Sequence, residues 1–215
     1  MAETLFNWKQ RAGELYCFAD TLPLCRRLLA GGARIIQLRA KRINNDQFRD
    51  LAAAMQQLIH KSNEPAIFIV NDRVDIAFEI GADGVHIGQD DPDYKEVIAA
   101  APVGMSVGVS VSTAAEARKA EQAGAHYVGA GAVFPTPTKD DAQLIGLDGL
   151  KKITDAVQIP VVAIGGLNLE NIASVRDRGA DYFAIISEIN ESPDIAGRID
   201  ALKKRINLYG EDNQC

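Results

Sequence analysis

The chain has 215 residues, 47% apolar and 24% charged, enough for one globular domain with a sizeable core. Its net charge of −6 argues against nucleic acid or an anionic membrane as the main partner, so any phosphate site must be a local basic pocket on an acidic protein. No apolar run approaches the ~18 residues of a membrane span, the start Met1-Ala2-Glu3-Thr4 lacks an export signal, and Cys17, Cys25 and Cys215, odd in number and without metal spacing, suit a reducing cytoplasm.

In chain order, the runs Leu15–Phe18, Ile35–Arg39, Ala66–Val70, Gly84–Ile87, Met105–Val109, Tyr127–Ala130, Pro160–Ile164 and Tyr182–Ile186 read as strands. They are apolar on both faces, as buried parallel strands are. Amphipathic helices fall between them. In Asp46–His60 the residues Phe48, Leu51, Ala52, Met55, Leu58 and Ile59 keep helical spacing. Thr113-x-x-Glu116 is a capping box opening Ala114–Ala123, which Gly124 closes. A glycine, an alanine and a polar residue precede every second strand: Gly32-Ala33-Arg34, Gly81-Ala82-Asp83, Gly124-Ala125-His126 and Gly179-Ala180-Asp181. Each glycine stands where a helix should end in a left-handed residue. The copies lie roughly 43–55 residues apart, about two strand–helix units each. Four copies therefore imply eight units, and eight alternations in one short domain predict a (β/α)₈ TIM barrel. The expectation is a single domain over 1–215, with the barrel from about 14 to 206 and one long connection, Phe134–Gly146.

In such a barrel the chemistry sits at the C-terminal ends of the strands. Strand two ends with Gln37, Arg39 and Lys41 on one face by the two-residue period. Strand three ends in Asn71-Asp72, strand four is followed by Asp90-Asp91, and strand five by Ser110. Strand six runs into Val133-Phe134-Pro135-Thr136-Pro137-Thr138-Lys139, strand seven into Gly165-Gly166, and strand eight into Ile186-Ser187. Two carboxylates and little else is how a protein usually holds Mg²⁺, whose remaining ligands come from water and substrate phosphate. Asp72 and Asp91, on neighbouring strands, are that pair. No Ser-His-Asp set or thiolate–histidine pair appears at this rim.

Plainer roles are open for several of these residues. Asp91 before Pro92 also fits a helix N-cap, and Asn71-Asp72 also fit caps. Gly165-Gly166 is a tight turn, whose amides bind phosphate only if a helix from about Leu169 points its N-terminus inward, with Asn168 as its cap. His86 reads as a core or supporting group, His60 and His126 as structural, and Tyr16 as either barrel core or pocket wall.

Together, Gln37-Leu38-Arg39-x-Lys41, Ile69-Val70-Asn71-Asp72-Arg73-Val74-Asp75, Gly81 through Asp91, Phe134-Pro135-Thr136-Pro137-Thr138-Lys139 and Ile164-Gly165-Gly166 resemble thiamine-phosphate synthases, from about Tyr16 to Lys204. The resemblance implies transfer of a hydroxymethylpyrimidine group from its diphosphate to thiazole phosphate, plain or 2-carboxylated, with release of diphosphate. It implies that Gln37, Arg39, Lys41, Asn71, Ser110 and Lys139 hold the pyrimidine diphosphate, with Lys139, Arg39 and Ser110 catalytic. Asp72 and Asp91 would hold Mg²⁺, and Thr136, Thr138, Gly166, Ile186 and Ser187 the thiazole phosphate. Ala40 replaces a frequent glutamate and Ala132 a common proline. The related thiazole tautomerase has a histidine where Ala132 stands. A phosphosugar isomerase or epimerase, with Asp72 and Asp91 as acid and base, is the rival on the same barrel; a regulatory or a flavin-binding barrel leaves the site residues or the two acids unexplained. The expected partners are the two small-molecule substrates, and the sequence leaves open a homo-oligomer.

Overall fold

The computed structural model describes Trp8 and residues 12–62, 66–88, 93–136 and 143–207. Along these residues run β1 (Leu15–Ala19), α1 (Leu22–Ala30), β2 (Ile35–Leu38), α2 (Asn45–His60), β3 (Ile67–Asn71), α3 (Val74–Ile80), β4 (Gly84–Ile87), α4 (Tyr94–Ala100) and β5 (Ser106–Val111). There follow α5 (Ala114–Ala123), β6 (Tyr127–Ala130), α6 (Gly146–Thr154), β7 (Val161–Ile164), α7 (Ile172–Arg176), β8 (Tyr182–Ile185), α8 (Ser187–Asn190) and α9 (Ile195–Asn207). Each strand pairs in parallel with the next, and β1 pairs with β8, so the sheet closes into a (β/α)₈ TIM barrel.

The two-residue period of the strands sorts their side chains into two cores. Leu15, Cys17, Ile36, Leu38, Phe68, Val70, Val107, Val109, Phe183 and Ile185 face outward and pack under the helices. Tyr16, Phe18, Ile35, Ile69, Tyr127, Val162, Tyr182 and Ala184 face inward and fill the barrel. Each fully buried aliphatic or aromatic side chain contributes roughly 1.5–3 kcal/mol, so the continuous outer layer is the main source of stability. The buried thiols of Cys17 and Cys25 are free, and burial pushes both up to about 12.

The helix ends follow local chemistry. The Asn44 side chain caps α2, accepting from Gln47 N at 2.9 Å while the Gln47 side chain answers. Thr113 and Glu116 form the capping box of α5, which ends at Gly124 with φ 96°. The three other repeat glycines, Gly32, Gly81 and Gly179, also take positive φ. His126 Nδ1 accepts the Val107 N–H at 3.0 Å, and His60 meets Asp83 at 3.2 Å.

Three local features depart from the sequence reading. β5 runs on to Val111, because Ser110 and Val111 pair with Gly129 and Ala130. The helix after β7 begins at Ile172, since the Asn168 and Asn171 side chains first close a turn on each other's backbone amides. Trp8, in a segment without diagnostic pattern, is buried inside the N-terminal end of the barrel. Its indole lies 4.1 Å from the Tyr127 ring, its Nε1 donates to Ser106 Oγ at 3.1 Å, and its carbonyl accepts from the Tyr182 hydroxyl.

Candidate active site

A cavity of about 510 Å³ opens at the C-terminal ends of the strands. β2 sends in Gln37, with Arg39 and Lys41 beyond it; β3 sends Asn71 and Asp72; β4 sends His86; β5 sends Ser110. Thr136 follows β6, Gly165 and Gly166 follow β7, and Ile186 and Ser187 follow β8. The structure thus brings to one cavity Gln37, Arg39, Lys41, Asn71, Asp72, Ser110, Thr136, Gly166, Ile186 and Ser187. Asp91, Thr138 and Lys139 lie outside the described residues.

Among the described lining residues, Arg39 and Lys41 are the cations and Asp72 the carboxylate, a local basic pocket on a protein of net charge −6. Asp72 is the one described non-glycine residue with positive φ, at 63°. Its N–H donates to the His86 carbonyl at 2.9 Å, and its carbonyl accepts from Val74 N at 3.0 Å. A left-handed residue held at both ends, directly after a strand, sets where a carboxylate enters the cavity; such outliers gather at functional sites. Next to it, the Arg73 guanidinium donates to the Ile43 carbonyl at 2.8 Å, bonds the Asn45 side chain and lies 4.4 Å over the Phe48 ring. Arg73 therefore ties the connection that carries Lys41 to the corner that carries Asp72.

The opposite wall is built by glycines. Gly165 has φ 105° and Gly166 φ 63°, and a Cβ on Gly166 would stand 2.6 Å from the Pro135 carbonyl oxygen and 2.8 Å from Phe134 Cβ. The segment after β6 lies flat on this turn, with Val133 N donating to the Ile164 carbonyl and Phe134 N to that of Gly165. Ala132 pinches the base of the connection, bonding the Gln143 carbonyl through its N–H and Ile145 N through its carbonyl. Ser187 opens α8, so its N–H is one of the donors a helix start leaves unbonded.

Sequence reasoning left the floor unassembled: it offered Gln37 and Ser110 as site residues, His86 as a core or supporting group and Tyr16 as barrel core or pocket wall, and it missed Tyr127. Gln37 Nε2 donates to the Tyr16 hydroxyl at 2.8 Å, and the Tyr16 and Tyr127 hydroxyls are 2.9 Å apart. Tyr127 meets His86 Nδ1 at 3.1 Å, and His86 Nε2 meets Ser110 Oγ at 2.9 Å. Burial pushes both phenols above their ordinary value, so they stay protonated. No linear motif marks this chain of bonds, which joins residues from five strands. The legible sign was polar residues at inward positions of strands two, four and five.

The profile of a family described as thiamine monophosphate synthase matches residues 13–189, a span containing every residue named in this cavity. The chain belongs to the thiamine monophosphate synthase family. A thiamine-phosphate synthase of Pyrococcus furiosus is 42% identical over 179 residues, covering 83% of this chain and 85% of its own. One from Methanospirillum hungatei is 46% identical, covering 81% and 84%. The solved thiamine phosphate pyrophosphorylase from Pyrococcus furiosus superposes with TM-score 0.84 at 38% identity, covering 93% of this chain and 98% of that one. As a thiamine-phosphate synthase the chain is a transferase acting on small molecules. A 3-hexulose-6-phosphate synthase at 20% identity and an N-acetylmannosamine-6-phosphate 2-epimerase at 15% share the barrel fold alone. Ala132 lines the cavity with a methyl group, which cannot carry a proton.

Proposed function

We propose that this synthase transfers the 4-amino-2-methylpyrimidinylmethyl group from its diphosphate to the ring nitrogen of 4-methyl-5-(2-phosphoethyl)thiazole, or of its 2-carboxylated form, giving thiamine phosphate and diphosphate, with carbon dioxide also released from the carboxylated acceptor. The observation that carries this reading is the composition of the cavity at the C-terminal ends of the strands. A cationic and amide wall (Gln37, Arg39, Lys41, Asn71, Ser110) faces a glycine and helix-start wall (Gly166, Ser187) across about 510 Å³. That is room and chemistry for two phosphorylated substrates in contact.

Arg39 and Lys41, with Lys139, bind the diphosphate and neutralise charge that grows on it as it departs. Gln37, Asn71 and Ser110 orient the aminopyrimidine. Electron release from that ring supports positive charge on its methylene carbon, so the C–O bond breaks ahead of attack. The thiazole nitrogen brings its own lone pair, so the protein needs no general base. Gly166 and Ser187 N–H groups, with Ile186, Thr136 and Thr138, hold the thiazole phosphate and fix the nitrogen's approach. The Asp72 carboxylate, set at the cavity rim by its left-handed backbone, suits a hard cation, and Asp72 with Asp91 would hold Mg²⁺. When bound, the ion supplies further charge neutralisation for the leaving diphosphate. The free buried thiols of Cys17 and Cys25 fit work in a reducing cytoplasm.

The direct test is diphosphate release by purified protein given both precursors, with and without Mg²⁺. Release is expected only with both substrates and the metal. Turnover of a phosphosugar with no diphosphate formed would replace this reading with the isomerase one.

A further inference from the structure

We propose that Arg73 is a positioning residue for the diphosphate half of the reaction. Its guanidinium binds protein rather than substrate, and fixes the turn that carries Lys41 against the corner that carries Asn71 and Asp72. The inference rests on the function proposed above, in which Lys41 and Asn71 hold the pyrimidine diphosphate and Asp72 its metal.

The turn between β2 and α2 is short and held at both ends. Arg39 N donates to the Ala19 carbonyl of β1 at 3.0 Å, and Ala40 is buried in the outer core. Ile43 packs on the same core, and the Asn44 side chain caps α2. Between Ala40 and Ile43 stand Lys41 and Arg42, both exposed, and Lys41 lines the cavity. The place of the Lys41 ammonium therefore depends on where the Ile43 end of the turn is fixed.

Arg73 does that fixing. Its Nη2 donates to the Ile43 carbonyl at 2.8 Å, and its Nη1 donates to the side chain of Asn45, the first residue of α2. Its guanidinium carbon lies 4.4 Å from the centroid of the Phe48 ring, which is itself buried. A planar guanidinium serves two acceptors and an aromatic face at once, which the single ammonium of lysine does not reproduce. All three contacts reach across from the corner after β3. There Arg73 N donates to the Asn71 carbonyl at 2.8 Å, and the Arg73 carbonyl accepts from Ala77 N at 3.0 Å. Asn71 and Asp72, the two residues before it, line the cavity, and Arg73 is not among the described lining residues. Its charge therefore acts inside the protein, unlike those of Arg39 and Lys41.

Removing the guanidinium leaves the corner in place, because its backbone bonds do not use the side chain, and releases the Ile43 end of the turn. Lys41 then loses its fixed distance from Asn71 and Asp72, and the damage falls on the groups that hold the diphosphate. Gly166 and Ser187, on the opposite wall, keep their geometry. A role in folding alone would lower the melting temperature or the fraction of active protein and leave both KM values where they are.

The test is steady-state kinetics with each substrate varied in turn, in the parent, Arg73→Met and Arg73→Lys. Methionine keeps an unbranched stem and donates no bond; lysine keeps the charge and serves one acceptor at a time. In Arg73→Met, kcat/KM for the pyrimidine diphosphate should fall ~10–10²-fold, the cost of a misplaced contact, while KM for thiazole phosphate stays within about 2-fold. Arg73→Lys should fall between parent and methionine. The same order is expected for the Kd of inorganic diphosphate with Mg²⁺ by calorimetry, a measurement that needs no turnover. Should Arg73→Met fail to fold, Asn45→Ala removes one of the two acceptors and should raise KM for the pyrimidine diphosphate roughly 3-fold, the effect of one weak hydrogen bond. Unchanged values for the diphosphate ligands in a folded variant, an equal rise in both KM values, or a lysine variant no better than methionine overturns the role of Arg73. A parent that releases no diphosphate from the two precursors overturns the underlying function instead.

Discussion

At the scale of single residues, Asp72 is where backbone and chemistry coincide. Its φ of 63° costs most L residues about 1–2 kcal/mol, and aspartate and asparagine bear it most readily. Asp72→Asn therefore removes the charge while keeping a side chain suited to the turn, whereas alanine would add strain to the loss of the carboxylate. We expect Asp72→Asn to lower diphosphate release at limiting Mg²⁺ by ~10²–10³, with the melting temperature nearly unchanged. Near-parental rates would remove Asp72 from the metal site. Asp72, Gln37 and Arg39 were legible because each stands at a strand's end, where the barrel puts its chemistry. His86 was legible as a core or supporting group and Tyr16 only as core or pocket wall; the bonds that join them through Tyr127 were not legible. They depend on side chains meeting across strands, through space left by Gly108 and Gly129, and linear spacing carries no record of that.

At the scale of elements, the turn after β7 forms the wall of the pocket proposed to take the thiazole phosphate. Gly166 combines positive φ with contact from the Phe134–Pro135 segment, so Gly166→Ala must push that segment away and misplace the amide proposed to hold phosphate. The loss of one charge-assisted hydrogen bond, about 1.5–3 kcal/mol, should raise KM for thiazole phosphate roughly 10-fold or more and leave that for the pyrimidine diphosphate within about 3-fold. Steady-state kinetics with each substrate varied in turn would show it, and equal effects on both would contradict the division of the cavity. Strand and helix identities were readable from apolar runs and caps such as Thr113 with Glu116. Their ends were harder to place where polar side chains continue a pairing, as Ser110 does in β5. The same holds where polar side chains delay a helix, as Asn168 and Asn171 do before α7.

At the scale of the whole molecule, the recurrent glycine–alanine phrase disclosed eight units, because each barrel unit must end a helix and start a buried strand. The plug beneath the active site was invisible, since Trp8 sits in a segment with no period to read. Trp8 is 5% exposed and stacks on Tyr127, the middle of the polar floor. Trp8→Ala should cost ~3–5 kcal/mol, lowering the melting temperature by roughly 6–20 °C for a domain of this size. A shift below about 2 °C in thermal denaturation would mean the indole does not support the barrel. The central claim, one cavity where a metal-held diphosphate faces a thiazole phosphate, is tested most directly by crystals grown with diphosphate, thiamine phosphate and Mn²⁺ in place of Mg²⁺. The anomalous signal is expected between Asp72, Asp91 and the diphosphate, with the thiamine phosphate group at Gly166 and Ser187. Manganese bound away from Asp72, or the two phosphate groups lodged in separate places, would contradict it.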